Sequence, residues 1–209
     1  MCGLTVLADD DPRWKHDPVE VARAACAGGA AVIQLRAKFA TDRVALGWAA
    51  AIREVTRMHA VLFFVNDRFD LALAADADGV HLGQEDLPPA RVPAEVRRRL
   101  LIGRSSHSLE QALAAASEPV DYVAFGPVFG TRSKQSSYSA RELPQLAEVV
   151  QGVVPRPVIA IGGIDAGNAQ AVARTGAAGV AVIAAVAGED DAEKAARQLV
   201  HALRETPSR

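Results

Sequence analysis

A single-domain (β/α)8 barrel is the fold class the sequence predicts, and three observations predict it. Eight short apolar runs alternate with eight helix-like segments along the chain. The runs are continuous rather than alternating in polarity, as suits parallel strands covered on both faces. Eight such units fill 209 residues with no linker between them, so residues 1–209 read as one compact barrel domain. An open doubly wound sheet is the other architecture with this alternation.

The elements follow in order. Residues 4–8 form the first strand, and Asp17-Pro18 reads as an N-cap and first-turn proline for a helix ending on glycines. "AAVIQLR" is the second strand, and Thr41 caps a long helix to about Met58. "VLFFVND", "DGVHLG" and "LLIGRSS" are strands three to five. The helices between them are "RFDLALAAD", which Asn66-Asp67 could cap, and "PPARVPAEVRRR". Ser108 with Gln111 fits the capping-box spacing at the head of "SLEQALAAA". "DYVAFG" is strand six, followed by a loop rich in Gly, Ser and Pro and a helix near residues 145–150. "PVIAIGG", "NAQAVARTG", "AGVAVIAAV" and a last helix over 190–204 complete the eight units.

Half of the residues are hydrophobic, enough for a sizeable core. With 23 basic and 25 acidic residues the formal charge is −2, which points to neither nucleic acid nor a membrane surface. The triplet Arg97-Arg98-Arg99 reads as a solvated helix end. Cys2 and Cys26 make no metal, redox or disulfide spacing, so a reducing, cytoplasmic setting fits. The N-terminal apolar run is too short for a signal peptide, and "AAGVAVIAAVAG" is too short to span a membrane. The sequence leaves a homo-oligomer open.

Active sites of parallel barrels form at the C-terminal ends of the strands, so what ends each strand matters most. Strand two ends in Gln34, Arg36 and Lys38, which period-2 alternation places on one face. Strand three ends in Asn66-Asp67, and the loop after strand four carries Glu85-Asp86. Strand five ends at Ser105, with His107 just beyond. Strand six runs into "GPVFGTRSK", with Thr131, Ser133 and Lys134, while Gly162-Gly163 end strand seven and Ile183-Ala184 end strand eight. Taken singly, these are bland. Asp67 and Asp86 could be caps or surface charges, Arg36 and Lys38 solvated, and His81 a structural histidine in mid-strand. Together they are a set. The cations suit phosphate oxygens. Carboxylates beside phosphate make sense with a divalent metal between them, which makes Asp67 and Asp86 a candidate Mg²⁺ site. The glycine-rich turns at strands seven and eight let backbone N–H groups reach a second anion.

The strings "QLRAK", "VNDR", "ADGVHLGQEDL", "IGRSSH", "GPVFGTRSK", "AIGGI" and "GVAVI" resemble, in order, the thiamine-phosphate synthase/TenI superfamily, from Gln34 to Ile183. The resemblance implies a (β/α)8 barrel and small-molecule substrates. A pyrimidine diphosphate is joined to a thiazole phosphate, giving thiamine phosphate and pyrophosphate with Mg²⁺ as cofactor. It implies that Gln34, Arg36, Lys38 and Asn66 bind the pyrimidine diphosphate, and that Asp67 and Asp86 hold Mg²⁺. Ser105 and Lys134 would contact the pyrimidine substrate, Lys134 at its pyrophosphate. Thr131 and Ser133 would touch the thiazole side. Gly163, with the backbone at Ile183 and Ala184, would bind the thiazole phosphate.

The chain departs from the synthase pattern at several positions. Ser133 stands where Thr is frequent, Ala184 where Ser is frequent, and "QSSYSARELPQL" lacks the usual glycine-leucine. Arg104 looks more like the tautomerase branch, in which a histidine matching His107 is a proton-transfer candidate. The sequence expects no protein nucleophile, since it offers no Ser/His/Asp or Cys/His constellation. Two other readings stand beside the transferase: a thiazole tautomerase using His107 as acid or base, and a non-catalytic barrel for a phosphorylated ligand.

Overall fold

The computed structural model describes residues 3–130, 140 and 142–204. Its strands are β1 (Gly3–Asp9), β2 (Val32–Arg36), β3 (Leu62–Asn66), β4 (Gly79–Leu82), β5 (Leu101–Ser106), β6 (Tyr122–Phe125), β7 (Val158–Ile161) and β8 (Gly179–Val182). Each pairs in parallel with the next, and β8 returns to β1, with Gly3 opposite Gly179. That last pairing closes the sheet and rules out the open doubly wound alternative. Its short runs of Val, Ile, Leu and Phe are buried on both faces, inward against the barrel interior and outward against helices.

The helical layer consists of α1 (Pro18–Ala27), α2 (Asp42–Met58), α3 (Phe69–Ala74), α4 (Ala94–Arg97), α5 (Leu109–Ser117), α6 (Glu142–Gly152), α7 (Ala169–Ala173), α8 (Ala184–Ala187) and α9 (Ala192–Arg204). In α2, buried Ala45, Ala49, Ile52, Val55 and Thr56 recur at three- and four-residue steps, which lays one stripe on the barrel. Asp17 caps α1 by accepting from Val19 N and Glu20 N, and Glu20 returns a bond to the Asp17 N–H. This is a complete capping box, more than the Asp-Pro pair alone predicts.

Several boundaries differ from the sequence expectation. The segment expected as one helix after β4 is a 3₁₀ turn (Pro89–Arg91) followed by α4, because Pro93 precludes a continuous helix. Thr41 is the N-cap of α2, but its side chain makes no capping bond. Arg68, not Asn66 or Asp67, is the N-cap of α3. At α5, Ser108 Oγ accepts from Gln111 N at 3.1 Å, whereas the Gln111 side chain accepts from His107 N rather than closing the box on Ser108. The last helix starts at Ala192, with Asp191 accepting from Lys194 N. The eighth strand stops at Val182, and the alanines after Ile183 form α8, as their helix propensity favours. Ile183 and Ala184 therefore head a helix instead of ending a strand.

Candidate active site

At the C-terminal mouth of the barrel the polar groups form two neighbouring regions. The first is an ionic rim on β1 to β4. Arg36 NH1 donates to Asp9 Oδ2 at 2.5 Å. Lys38 pairs with Asp67. The backbone around Lys38 is fixed from β1, because the Asp10 carboxylate accepts from Lys38 N, Phe39 N and Ala40 N. Asp67 adopts φ +65°, a left-handed conformation that Asp tolerates better than most residues. Its N–H continues the strand contact by donating to His81 O at 2.7 Å.

Asp86 reaches the same place from the loop after β4. Its Oδ2 accepts from Gly83 N at 2.6 Å. A Cβ on residue 83 would sit 2.9 Å from that oxygen, so a side chain there would shift the Asp86 carboxylate. Burial, and then the hydrogen bond to Asp67, pushes the Asp86 carboxyl above its usual range. Burial also pushes Asp67 upward, but donors from Lys38 and Asp86 outweigh it and hold Asp67 low. Of the two neighbouring carboxyls, Asp86 is therefore the one that keeps a proton more readily. A pair close enough to hydrogen-bond is also a donor set that a small hard cation can replace the proton on, with phosphate oxygens and water completing its coordination. Glu85, next along, is exposed.

The second region is a cavity of about 470 Å³ set mainly between β5 and β8. Leu7, Ile159, Ile161 and Val182 supply apolar wall; Ser105 and His107 are among its polar groups. Gly163, Ile183 and Ala184 border it. Gly162 and Gly163 turn at φ +102° and +63°, where a side chain would also collide with Pro127 or Phe129, so bare backbone faces the cavity there. Ala184 and Ala185 head α8, whose first N–H groups have no acceptor within the helix. His107 Nδ1 donates to Gly126 O at 2.5 Å, which fixes the ring against the end of β6.

Gln34 joins the two regions. It is buried, lines the cavity, and donates from Nε2 to Asn66 Oδ1 at 2.8 Å. The structure therefore assembles Gln34, Arg36, Lys38, Asn66, Asp67 and Asp86 along one arc, with Ser105, His107, Gly163, Ile183 and Ala184 around the adjoining cavity. Thr131, Ser133 and Lys134 lie outside the described residues, as does most of the segment after them.

His81 is held in mid-strand as a structural residue, but it also lines the cavity and links two hydroxyls: Nδ1 to Tyr122 OH and Nε2 to Ser105 Oγ, each at 2.8 Å. A Ser/His pair therefore exists. Its third member is a phenol kept neutral by burial, not the hydrogen-bonded carboxylate of a catalytic triad. The arrangement orients Ser105 rather than activating it.

Sequence reasoning missed Asp9 and Asp10, which support the two rim cations. The string "ADDD" at the end of the first strand was the available signal. It also missed the structural use of Arg104, which donates to Gly83 O and Gln84 O, tying the Asp86 loop to β5.

The comparisons with known proteins bear on this mouth. The family model described as thiamine monophosphate synthase matches residues 4–186. The chain belongs to the thiamine monophosphate synthase family. Among curated members, a thiamine-phosphate synthase of Methanoculleus marisnigri is 47% identical over 196 residues, covering 94% of this chain and 92% of the relative. One of Chlorobium limicola is 45% identical over 188 residues, covering 90% and 89%. A solved thiamine phosphate pyrophosphorylase of Pyrococcus furiosus superposes with a TM-score of 0.90 at 42% identity, covering 99% of this chain and 98% of that one. Membership of the thiamine monophosphate synthase family therefore covers both the ionic rim and the cavity, and all eight strands that carry them.

Proposed function

We infer that the protein is a transferase, a thiamine phosphate synthase. It joins a hydroxymethylpyrimidine, delivered as its diphosphate, to a thiazole phosphate and releases pyrophosphate. The observation that carries this reading is an ionic rim of Arg36, Lys38, Asp67 and Asp86 opening beside an apolar cavity, with Gln34 common to both. The family membership and the similarity to synthases over most of the chain support it.

Arg36 and Lys38 place positive charge where a diphosphate gains negative charge as it leaves. Asp67 and Asp86 would hold Mg²⁺, which supplies further charge neutralisation for that leaving group. Gln34 and Asn66, already bonded to each other, present the remaining amide groups to the diphosphate end of the substrate. Ser105, steadied by His81, faces the pyrimidine. The aminopyrimidine can delocalise the methylene cation that forms as the C–O bond breaks. The thiazole nitrogen then attacks that carbon, so no protein nucleophile is required. Leu7, Ile159, Ile161 and Val182 limit water around the cation. The backbone at Gly163, Ile183 and Ala184 anchors the thiazole phosphate at the far side.

The test is thiamine phosphate formation by purified protein given the pyrimidine diphosphate, the thiazole phosphate and Mg²⁺, with an EDTA control. Metal-dependent product supports the reading. A folded protein that forms none refutes it and turns attention to isomerisation of the thiazole, with His107 as the base.

A further inference from the structure

Asp9 is an unusual neighbour for an anion site. It is a carboxylate, 1% exposed, at the end of β1. Its Oδ2 accepts from Arg36 NH1 at 2.5 Å. Its Oδ1 accepts from Asp11 N at 2.9 Å and from the Trp14 indole Nε1 at 3.1 Å. Both oxygens are thus engaged, and the carboxylate cannot rotate without breaking bonds on either side. Arg36 makes no other hydrogen bond among the described residues, and its side chain remains 15% exposed.

We propose that Asp9 is a positioning residue for the diphosphate: it anchors one arm of the Arg36 guanidinium so that the remaining N–H donors face the incoming anion. This deepens the transferase reading and rests on it for the substrate's identity. Two effects compete at such a pair. The Asp9 charge weakens the pull of Arg36 on an anion, while the bond fixes a long side chain that otherwise samples many rotamers. Orientation wins here because Asp9 is itself held by two further donors, so the ordering of Arg36 is complete before the ligand arrives. Asp11 and Trp14 belong to the loop leading into α1. Trp14 also reaches the end of α8, within 3.7 Å of where a Cβ on Gly188 would lie. The clamp is therefore braced on both sides of β1.

The experiment is calorimetric binding of inorganic pyrophosphate in the presence of Mg²⁺ to wild type and to Asp9→Asn, which keeps the shape and removes the charge. Steady-state kinetics for both substrates accompany it. The expected result is a Kd for pyrophosphate raised by about tenfold. The KM for the pyrimidine diphosphate should rise in parallel, and the KM for the thiazole phosphate should not change. An unchanged or lowered pyrophosphate Kd overturns the proposal, the lowered value meaning that Asp9 serves to weaken anion binding. So does an equal loss for both substrates together with a lower Tm, the mark of a purely structural residue. Should Asp9→Asn fail to fold, Trp14→Phe removes one brace and leaves the ion pair. It should weaken pyrophosphate binding in the same direction by a smaller factor, and no change there overturns the proposal. Pyrophosphate binding is read without turnover, so a wild type that makes no thiamine phosphate would defeat the transferase reading while leaving this test in force.

Discussion

At the residue scale, the Asp67–Asp86 pair makes the sharpest predictions. Asp86→Asn keeps an oxygen for Gly83 N but removes the charge proposed to hold the metal. Mg²⁺ affinity, measured by titration calorimetry, should fall by at least on the order of tenfold with the circular dichroism unchanged. Equal affinity would dismiss Asp86 as a ligand. The raised Asp86 titration also sets a pH dependence. Burial and the bond to Asp67 make Asp86 hold its proton to higher pH than a free aspartate does. A cation must displace that proton, so Mg²⁺ affinity should rise with pH through the Asp86 titration and then level off. The same calorimetry across acidic pH checks the sign. These residues were legible because each follows the C-terminal end of a strand in a family-like string. Asp9 and Tyr122 were not. Their importance lies in what they touch from another strand, Arg36 and His81, and contacts between strands have no signature within either one. Asp67's left-handed φ was equally hidden, since it belongs to the turn as a whole.

At the element scale, capping and proline chemistry decide where helices begin and break. Asp17→Ala removes the acceptor for Val19 N and Glu20 N and should cost about 1 kcal/mol in urea unfolding, with the m-value unchanged. A loss near zero would mean that water replaces the cap fully. Strand identities were readable from their apolar runs, and helix positions from Asp-Pro and Ser-x-x-Gln. Boundaries were less so. Val-Ala-Val passes into Ile-Ala-Ala without any change in hydrophobicity, so only the helix propensity of the alanines marked the strand-to-helix change at Ile183. The break at Pro93 was readable in principle, because proline inside a helical pattern costs a hydrogen bond. The capping box at Ser108 was half readable: the Ser acts as expected, while Gln111 is recruited by His107 N instead.

At the scale of the whole molecule, closure of the sheet depends on close approach at one seam. A Cβ on Gly179 would lie 2.3 Å from Gly3 O, so β8 can meet β1 only through glycine. Gly179→Val should destabilise the protein by about 1–3 kcal/mol or more. The loss should appear as a lower Tm and as faster hydrogen exchange in β1 and β8 than in β4 and β5. Uniform exchange would show that the seam relaxes without cost. The closed (β/α)8 barrel was legible from the count of eight units and from the family resemblance, while the polarity of the runs alone would have suited an open sheet as well.

The division of the mouth into a charged arc and an apolar hollow has a consequence for how such a catalyst can change. The arc is assembled from the first four strands and the hollow mostly from the last four, with Gln34 lining both and His81 and Arg104 bonding across the boundary. Substitutions that neutralise the arc leave the hollow's walls standing. A chimera that keeps residues of β5 to β8 and takes its first half from a related barrel would inherit a vessel for a phosphorylated heterocycle with a different chemistry installed at its lip. The protein is, in this sense, two separable tools on one frame.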